Sequence, residues 1–208
     1  MLPEPYRSAR DLLDLIESIG VERALLVGGS LGGRVALEVA VARSDVVAGL
    51  VLVSPSLPGH EWSEAVLAFG DAEDEALARG AIEAAVEANL SLWFDGHDRS
   101  SAAVDSGRRT AVATMQRRAF ELQLAAGDTA QEELLVADLV DRLSEITAPT
   151  QVVVVEHEVS DFHAIGIRLA AELCNAQLRV LPAAAHMPYY ERPDLFDPLL
   201  RDILEQFG

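Results

Sequence analysis

The sequence has 208 residues, half of them apolar, and its 34 acidic against 16 basic residues leave a formal net charge of −18. This length and composition predict one globular domain with a sizeable core rather than a disordered chain. The acidic balance argues against a surface that binds nucleic-acid phosphates or anionic membranes, and it favours a small-molecule substrate.

Cysteine usage and the N-terminus indicate a cellular compartment. Cys174 is the only cysteine, so no intramolecular disulfide can form, and its place in "LAAELCNAQL" predicts a buried residue at a helix end. The start "MLPEPYRSARD" lacks the basic residues and apolar run of a signal peptide, and no segment is long enough to span a membrane. We therefore expect a cytoplasmic protein that does not associate with membranes.

Short apolar runs alternate with helical patterns along the chain. An apolar stripe from Leu12 to Ile19 predicts a first helix that Gly20 ends, and a small-residue helix is predicted to open after Ser30. Further helices are predicted around Leu169 and over the C-terminal residues 195–207. The predicted strands are "ALLVG" (24–28), "AGLVLVSP" (48–55), "QVVVVE" (151–156) and "AQLRVLP" (176–182). This alternation predicts a doubly wound, mostly parallel α/β sheet.

Residues 61–146, the helical insert, break this alternation with Ala- and Glu-rich helical stretches from Asp71 to Leu92 and over 108–127. The insert is predicted to form a lid over the carboxyl ends of the strands, so that residues 1–60 and 147–208 make up the core. Its apolar residues either wall a pocket beneath the lid or fill the insert's own core. These residues are Trp62, Phe69, Trp93, Phe94, Met115 and Phe120.

The segment "GGSLG" (28–32) matches the pattern G-x-S-x-G at the corner between a predicted strand and a predicted helix. Such a corner forces the serine into a strained backbone conformation and requires small residues two positions before and after it, here Gly28 and Gly32. It aims the hydroxyl of Ser30 into a cleft and points the backbone N–H of Leu31 towards a developing oxyanion. Ser30 is therefore a candidate nucleophile.

Other glycine-rich motifs fit this corner less well. A dinucleotide-binding fingerprint would need glycine where Ser30 stands and an acidic residue about 20 positions later, where the following strand ends in "VSPS". A phosphate-binding loop would need the sequence Gly-Lys-Ser/Thr, which is absent from this segment. A purely structural glycine turn stays open as an alternative.

A nucleophilic serine needs a base within hydrogen-bond reach. His186 follows the last predicted strand and precedes the last helix, which places it at the carboxyl edge of the sheet beside Ser30. The other histidines fall near the insert or beside the third strand and suit surface or pocket positions: His60, His97, His157 and His163.

The base in turn needs a carboxylate that orients it. The loop after "QVVVV" offers Glu156, Glu158 and Asp161, and the chain order serine, acid, histidine is that of α/β-hydrolases. The segment "EHEVSDFH" (156–163) also admits a metal-site interpretation, although helix-spaced H-E-x-x-H is absent from it.

From these residues, the sequence resembles the α/β-hydrolase superfamily, and within it lidded enzymes similar to enol-lactonases, small esterases and meta-cleavage-product hydrolases. The segment "YRSARDLLDLIESIGVERALLVGGSLGGRVALEVA" is similar to the family's helix, strand, nucleophile turn and helix, and "AHMPYYERPDLF" is similar to its histidine loop. The resemblance implies that Ser30 is the nucleophile, His186 the base and the Leu31 N–H one oxyanion donor.

The acid loop departs from the family pattern. The family usually carries Gly-x-x-Asp there, and the corresponding positions read Val155, Glu156, His157 and Glu158. The resemblance therefore implies Glu158 as the acid, one methylene longer than the usual aspartate, with Asp161 as the alternative. Ala183 also stands where such proteins often carry glycine.

The family also has four strands and a helix before the nucleophile turn, and a loop among them supplies the other oxyanion donor. The resemblance implies that the chain is N-terminally truncated and lacks that donor. The strand at 24–28 would then be an exposed apolar edge, so we expect either a homo-oligomer formed through this edge or a shortened version of a longer protein.

These inferences predict a serine hydrolase that cleaves a small ester or lactone, uncharged or weakly acidic, without a cofactor or metal. One alternative is a catalytically impaired homologue that binds a small apolar ligand or a partner. Another is cofactor-free oxidation of the haloperoxidase type, which uses the same three residues.

Overall fold

The computed structural model describes residues 5–127 and 131–207, and its centre is a four-stranded parallel sheet. The strands lie side by side in chain order: β1 (Ala24–Gly29), β2 (Val47–Val53), β3 (Thr150–Val155) and β4 (Ala176–Leu181). Each lies within two residues of its predicted bounds, so the strand predictions are confirmed. Because all four strands are parallel, their carboxyl ends meet at one edge of the sheet, where Ser30, Glu158 and His186 follow β1, β3 and β4.

Helices connect the strands and fill the insert. In chain order they are α1 (Ser8–Ser18), α2 (Leu31–Ala42), α3 (Glu64–Ala78), α4 (Ile82–Asn89), α5 (Ser106–Ala126), α6 (Ser160–Glu172), α7 (Pro188–Glu191) and α8 (Pro193–Phe207). A π-helix (Leu90–Asp95) follows α4, and short 3-10 helices span Ser44–Val46, Ser101–Ala103 and Leu139–Glu145.

Helices pack on both faces of the sheet, which explains why the strands are apolar on both sides. On one face α2 and α6 pack against β-strand side chains such as Leu50, Leu52 and Val152, and α1 packs on α2. On the other face α8 packs against Val51 and Val153. The doubly wound sheet predicted from the alternation is confirmed.

Strand β1 forms one edge of the sheet, and the side chain of Val27 on it is 48% exposed. An exposed apolar strand edge presents unpaired backbone groups to which another strand can add. The expected association of copies through this edge stays a prediction.

The first helical stretch of the insert begins before Asp71, where it was predicted to start, and is divided into two helices. Ser63 caps α3, because its hydroxyl accepts a hydrogen bond from the backbone N–H of Val66 at 3.5 Å. The single helical stretch predicted from Asp71 to Leu92 is wrong. Gly80 takes a left-handed conformation with φ +70°, which ends α3 and lets α4 start in a new direction.

The chain that returns from the insert is held by a buried carboxylate on α2. The side chain of Glu38 is 1% exposed, and its Oε2 accepts hydrogen bonds from the backbone N–H groups of Leu135 (2.5 Å) and Val136 (3.3 Å). Its Oε1 accepts a hydrogen bond from Arg34 at 3.0 Å. These contacts join α2, the helix that begins after Ser30, to the end of the insert.

Cys174 departs from its predicted burial. The residue is exposed, and its thiol donates a hydrogen bond to the carbonyl oxygen of Ser144 at 3.1 Å. The neighbouring Leu173 takes the buried position, so the prediction misjudged which residue at the end of α6 faces the core. Over residues 5–127 and 131–207, no helix is long and apolar enough to cross a membrane.

Candidate active site

Ser30 stands alone between β1 and α2 in a backbone conformation that serine rarely adopts, with φ 51°. Neighbouring strands and loops hold it there: its N–H donates to the carbonyl oxygen of Val53 (2.9 Å), and its own carbonyl accepts from the N–H of Ser56 (3.0 Å). A strained residue persists only where its surroundings hold it in place, and such residues cluster at functional sites. The sharp turn predicted from G-x-S-x-G is therefore present.

Two glycines allow this turn, and one of them differs from the prediction. A Cβ on Gly28 would lie 2.3 Å from the carbonyl oxygen of Gly32, so Gly28 has no room for a side chain. A Cβ on Gly32 would meet nothing within 4 Å, whereas one on Gly33 would lie 2.6 Å from the Cβ of Pro55. The predicted requirement for a small residue at Gly32 is therefore wrong. The residue through which α2 approaches Pro55, in the loop after β2, is Gly33.

His186 and Glu158 form a buried pair. The Nδ1 atom of His186 lies 2.7 Å from Oε2 of Glu158, and their side chains are 7% and 1% exposed. The other carboxylate oxygen of Glu158 accepts from the backbone N–H of Val159 at 3.1 Å. With Nδ1–H donating to the carboxylate, Nε2 of His186 is left as the proton acceptor.

The loops after β3 and β4 bring this pair together. The backbone N–H of His157 donates to the carbonyl oxygen of Ala184, and that of Glu156 donates to Leu181, each at 3.0 Å. Ala183 between them has φ 55°, a left-handed conformation that favours glycine, which is the residue the resemblance leads one to expect there. Its N–H donates to Oε2 of Glu156 at 2.7 Å, which holds the alanine in that conformation.

Ser30 and His186 line one cavity of about 370 Å³ at the carboxyl edge of the sheet. The imidazole of His186 packs against the rings of both Trp93 and Phe162, with ring centroids 4.9 and 4.6 Å away. None of the described residues that line the cavity is an aspartate, glutamate, lysine or arginine: Ser30, Ser56, Trp62, Val66, Asn89, Trp93, Gln116, Phe162, His186, Met187 and Tyr189.

Some of the insert's large apolar residues wall the cavity, and others fill the insert's own core. Trp62 and Trp93 line the cavity, whereas Phe94 and Phe120 are buried in the insert's own core. Phe69 packs behind Trp93 with ring centroids 5.4 Å apart. The sixth, Met115, is 45% exposed, and its sulfur is contacted by the hydroxyl of Tyr190 at 3.8 Å.

Other lining residues were missed from the sequence. Phe162 lies in the first turn of α6, and Tyr189 lies three residues after His186 in α7. The closeness of Tyr189 to the histidine along the chain was a usable signal. Phe162 gave none, because its helical spacing is equally typical of a core residue.

The structure places Asp161, the alternative acid, away from His186. Its carboxylate accepts hydrogen bonds from the N–H (2.7 Å) and hydroxyl (2.8 Å) of Ser63, and it contacts Nε2 of His60 at 3.2 Å. Burial alone would raise the pKa of this carboxyl, but these hydrogen bonds outweigh burial and hold the pKa below its ordinary value. Asp161 thus attaches the start of the insert to α6.

The acidic and histidine side chains of residues 156–163 turn to different neighbours. Glu156 contacts the backbone of Ala183, His157 contacts Asp98 at 3.0 Å, and Glu158 contacts His186. Along the described stretches of the chain, no three side chains of His, Cys, Asp or Glu come together in a way that could hold a metal ion.

A family model described as the alpha/beta hydrolase family matches residues 2–198. Because the match spans almost the whole chain, the protein belongs to the α/β-hydrolase family. The resemblance predicted from the serine turn and the histidine loop is confirmed.

Several relatives carry hydrolase names. The "Putative carbamate hydrolase RutD" of Rhizobium rhizogenes is 29% identical over 91% of this chain and 70% of that protein. The "2-hydroxy-6-oxononadienedioate/2-hydroxy-6-oxononatrienedioate hydrolase" of Paraburkholderia xenovorans is 25% identical over 95% of this chain and 67% of that protein. A carboxylesterase structure from Nitrososphaera gargenis has a TM-score of 0.73 and 18% identity, over 98% of this chain and 73% of that one. That likeness shows the shared fold.

The glycine contacts at the serine turn predict opposite effects for two alanine substitutions. Gly28→Ala should lower the free energy of unfolding by about 3 kcal/mol or more, because its Cβ collides with backbone. Gly32→Ala should raise it by up to about 1 kcal/mol, because alanine favours the helix and meets open space. Urea unfolding followed by circular dichroism measures both, and similar changes in the two variants would contradict this geometry.

The hydrogen bonds of Asp161 predict a pH-dependent contribution to stability. Asp161→Asn should lower the free energy of unfolding at pH 7 by about 1–3 kcal/mol. Since folding lowers the pKa of this carboxyl, the charged form stabilises the protein above the unfolded-state pKa, and this stabilisation is lost as the pH falls through the folded-state pKa. The difference between wild type and variant should therefore shrink below about pH 4.

A matched control for Asp161 is Asp202→Asn, which changes an exposed aspartate on α8. Its effect on the free energy of unfolding should stay within about 0.5 kcal/mol at every pH. An effect of Asp161→Asn that is the same at pH 7 and pH 2 would show that the carboxylate charge does not hold the insert.

Proposed function

We propose that this α/β-hydrolase cleaves small neutral esters or lactones through Ser30, His186 and Glu158. The observation that carries the proposal is the buried 2.7 Å contact between His186 and Glu158, together with the cavity that His186 shares with the strained Ser30. A base oriented by a buried carboxylate beside a serine on a strained turn is the arrangement that activates a serine hydroxyl.

In the proposed reaction, Nε2 of His186 takes the hydroxyl proton of Ser30 as the serine oxygen attacks the substrate carbonyl carbon. The carbonyl π electrons move onto oxygen, which becomes a tetrahedral oxyanion. Glu158 stabilises the imidazolium that forms, and the imidazolium then protonates the departing alcohol oxygen. Water attacks the resulting acyl-serine by the same route and releases the acid.

The oxyanion is proposed to accept a hydrogen bond from the backbone N–H of Leu31. Leu31 is the first residue of α2, so its N–H has no carbonyl one turn earlier in the helix with which to bond. The positive end of the α2 dipole adds to the stabilisation of a negative charge there.

The cavity wall indicates the class of substrate. Among the described residues that line it, the ionisable side chains are the imidazole of His186 and the phenol of Tyr189. A substrate carboxylate buried there would have no lysine or arginine to pair with among the described lining residues, which disfavours binding by several kcal/mol. We therefore propose an uncharged substrate, in contrast to the dioate named for the Paraburkholderia relative.

A fluorophosphonate probe tests the nucleophile. The probe should label the wild type and should not label Ser30→Ala, because it bonds to an activated serine oxygen. Hydrolysis of p-nitrophenyl butyrate should fall by at least about 10⁴-fold in the same variant.

Ser56→Ala is the matched control, since Ser56 lines the same cavity without contacting His186 or Glu158 through any hydrogen bond seen across residues 5–127 and 131–207. It should keep both labelling and turnover. Equal labelling of Ser30→Ala, or ligand binding without turnover in the wild type, would instead favour a protein that binds small apolar ligands.

A pair of esters of similar size tests the substrate class. Methyl valerate should have a kcat/KM at least about tenfold higher than monomethyl succinate, whose carboxylate finds no cation in the cavity. Gln116→Arg, which places a cation in the wall, should narrow that ratio. A wild type that prefers the charged ester would contradict the proposed substrate class.

A further inference from the structure

We infer that the hydroxyl of Tyr189 is a second donor to the oxyanion of the acyl group attached to Ser30. This inference rests on the proposed function, because it assigns a catalytic part to a side chain at the same site. The motivating observation is a 39% exposed tyrosine in the cavity wall, whose phenol hydroxyl lies against the serine turn and has no acceptor among residues 5–127 and 131–207.

The ring of Tyr189 packs directly on the residue before the nucleophile. A Cβ placed on Gly29 would lie 3.1 Å from Cε1 of Tyr189 and 3.3 Å from its hydroxyl oxygen. Gly29 ends β1, and Ser30 follows it, so the hydroxyl lies beside the turn from which the serine oxygen attacks. Tyr189 also lines the cavity that Ser30 and His186 share.

The ring is held in place while its hydroxyl is left available. The rings of Tyr190 and Phe196 pack on it edge-on, with centroids 5.5 and 6.0 Å away. Throughout residues 5–127 and 131–207, the Tyr189 hydroxyl has no hydrogen-bond partner, whereas the hydroxyl of Tyr190 contacts the sulfur of Met115. Tyr189 can therefore donate to a bound substrate without giving up a contact within the protein.

The hydroxyl stays protonated at neutral pH. Burial raises the pKa of Tyr189 above its ordinary value of 10.0, and the nearby Tyr190 and Glu158 add to the shift. A neutral phenol donates a hydrogen bond to the oxyanion without transferring its proton, so the proton balance between Ser30, His186 and the leaving alcohol is unchanged. Preorganised donors of this kind stabilise the tetrahedral state more than the planar ester.

The same geometry gives the glycine at position 29 a part in placing the phenol. A larger side chain there would push the phenol ring away from the serine turn by a few tenths of an ångström or more. Oxyanion stabilisation requires donors about 2.7–3.1 Å from the developing charge, so a small displacement weakens it. Gly29 thus acts as a positioning residue for Tyr189.

Replacement of single hydroxyls tests the inference. Tyr189→Phe should lower kcat for p-nitrophenyl butyrate by about 100-fold and change KM by less than about threefold, because the lost bond forms in the transition state. The control Tyr190→Phe removes the neighbouring hydroxyl, which points to Met115, and should keep kcat within about twofold.

A tetrahedral inhibitor supplies the second readout. Butylboronic acid, which forms a tetrahedral adduct with the serine oxygen, should bind Tyr189→Phe about 100-fold more weakly than wild type, whereas butyramide should bind both equally. Gly29→Ala alone should lower kcat. Combined with Tyr189→Phe, it should lower kcat almost no further than Tyr189→Phe does, because both changes act through one hydrogen bond.

The outcomes separate this inference from the proposed function. If turnover depends on Ser30 while Tyr189→Phe keeps a wild-type kcat and boronate affinity, the inference is overturned and the proposed hydrolase remains. A loss that appears only in KM, or equally in Tyr190→Phe, overturns it as well. If the wild type shows no turnover that depends on Ser30, this inference and the proposed function are both overturned.

Discussion

Ser30 holds a left-handed backbone conformation, with φ 51°, and the geometry of the whole cavity depends on it. Such a conformation costs about 1–3 kcal/mol, so packing on both sides must maintain it. Strand β1 is held by β2, and α2 buries Leu37 and Val39 completely against the core. Gly28 and Gly33 let the strand, the turn and the helix approach closely enough for this packing. The turn then faces the serine towards the cavity and leaves the N–H of Leu31 without an acceptor among residues 5–127 and 131–207.

The parallel sheet brings the other groups to that turn. Glu158 and His186 lie 28 residues apart, and they meet because β3 and β4 are neighbours whose loops share backbone hydrogen bonds. Trp93 and Phe162 pack on the imidazole and exclude water from it, which strengthens its interaction with the carboxylate. Glu158 can be almost fully buried only because the histidine and the Val159 N–H satisfy its oxygens. The longer glutamate still reaches His186.

The strands and their parallel arrangement were within reach of the sequence, since apolar runs and turn residues are local signals. Glu158 as the partner of His186 was implied only by the family resemblance. Three expectations failed, two of them where distant packing decides. The close approach at Gly33 in place of Gly32 and the exposure of Cys174 depend on elements that meet only in the folded chain. The helix break at Gly80 is instead a local glycine signal that the sequence prediction overlooked. Asp161 could not be separated from Glu158 beforehand, because its partner Ser63 lies 98 residues away.

The sequence by itself determined the α/β architecture, the strained serine corner and the residues that follow each strand, because these depend on spacing along the chain. The tertiary structure decided which side chains enclose the cavity. It separated Trp62 and Trp93, which line the cavity, from Phe94 and Phe120, which fill the insert's core. It also placed the phenol of Tyr189 on Gly29. An apolar or aromatic side chain suits a core and a pocket wall alike, so the packing of whole helices and strands decides which of the two it joins.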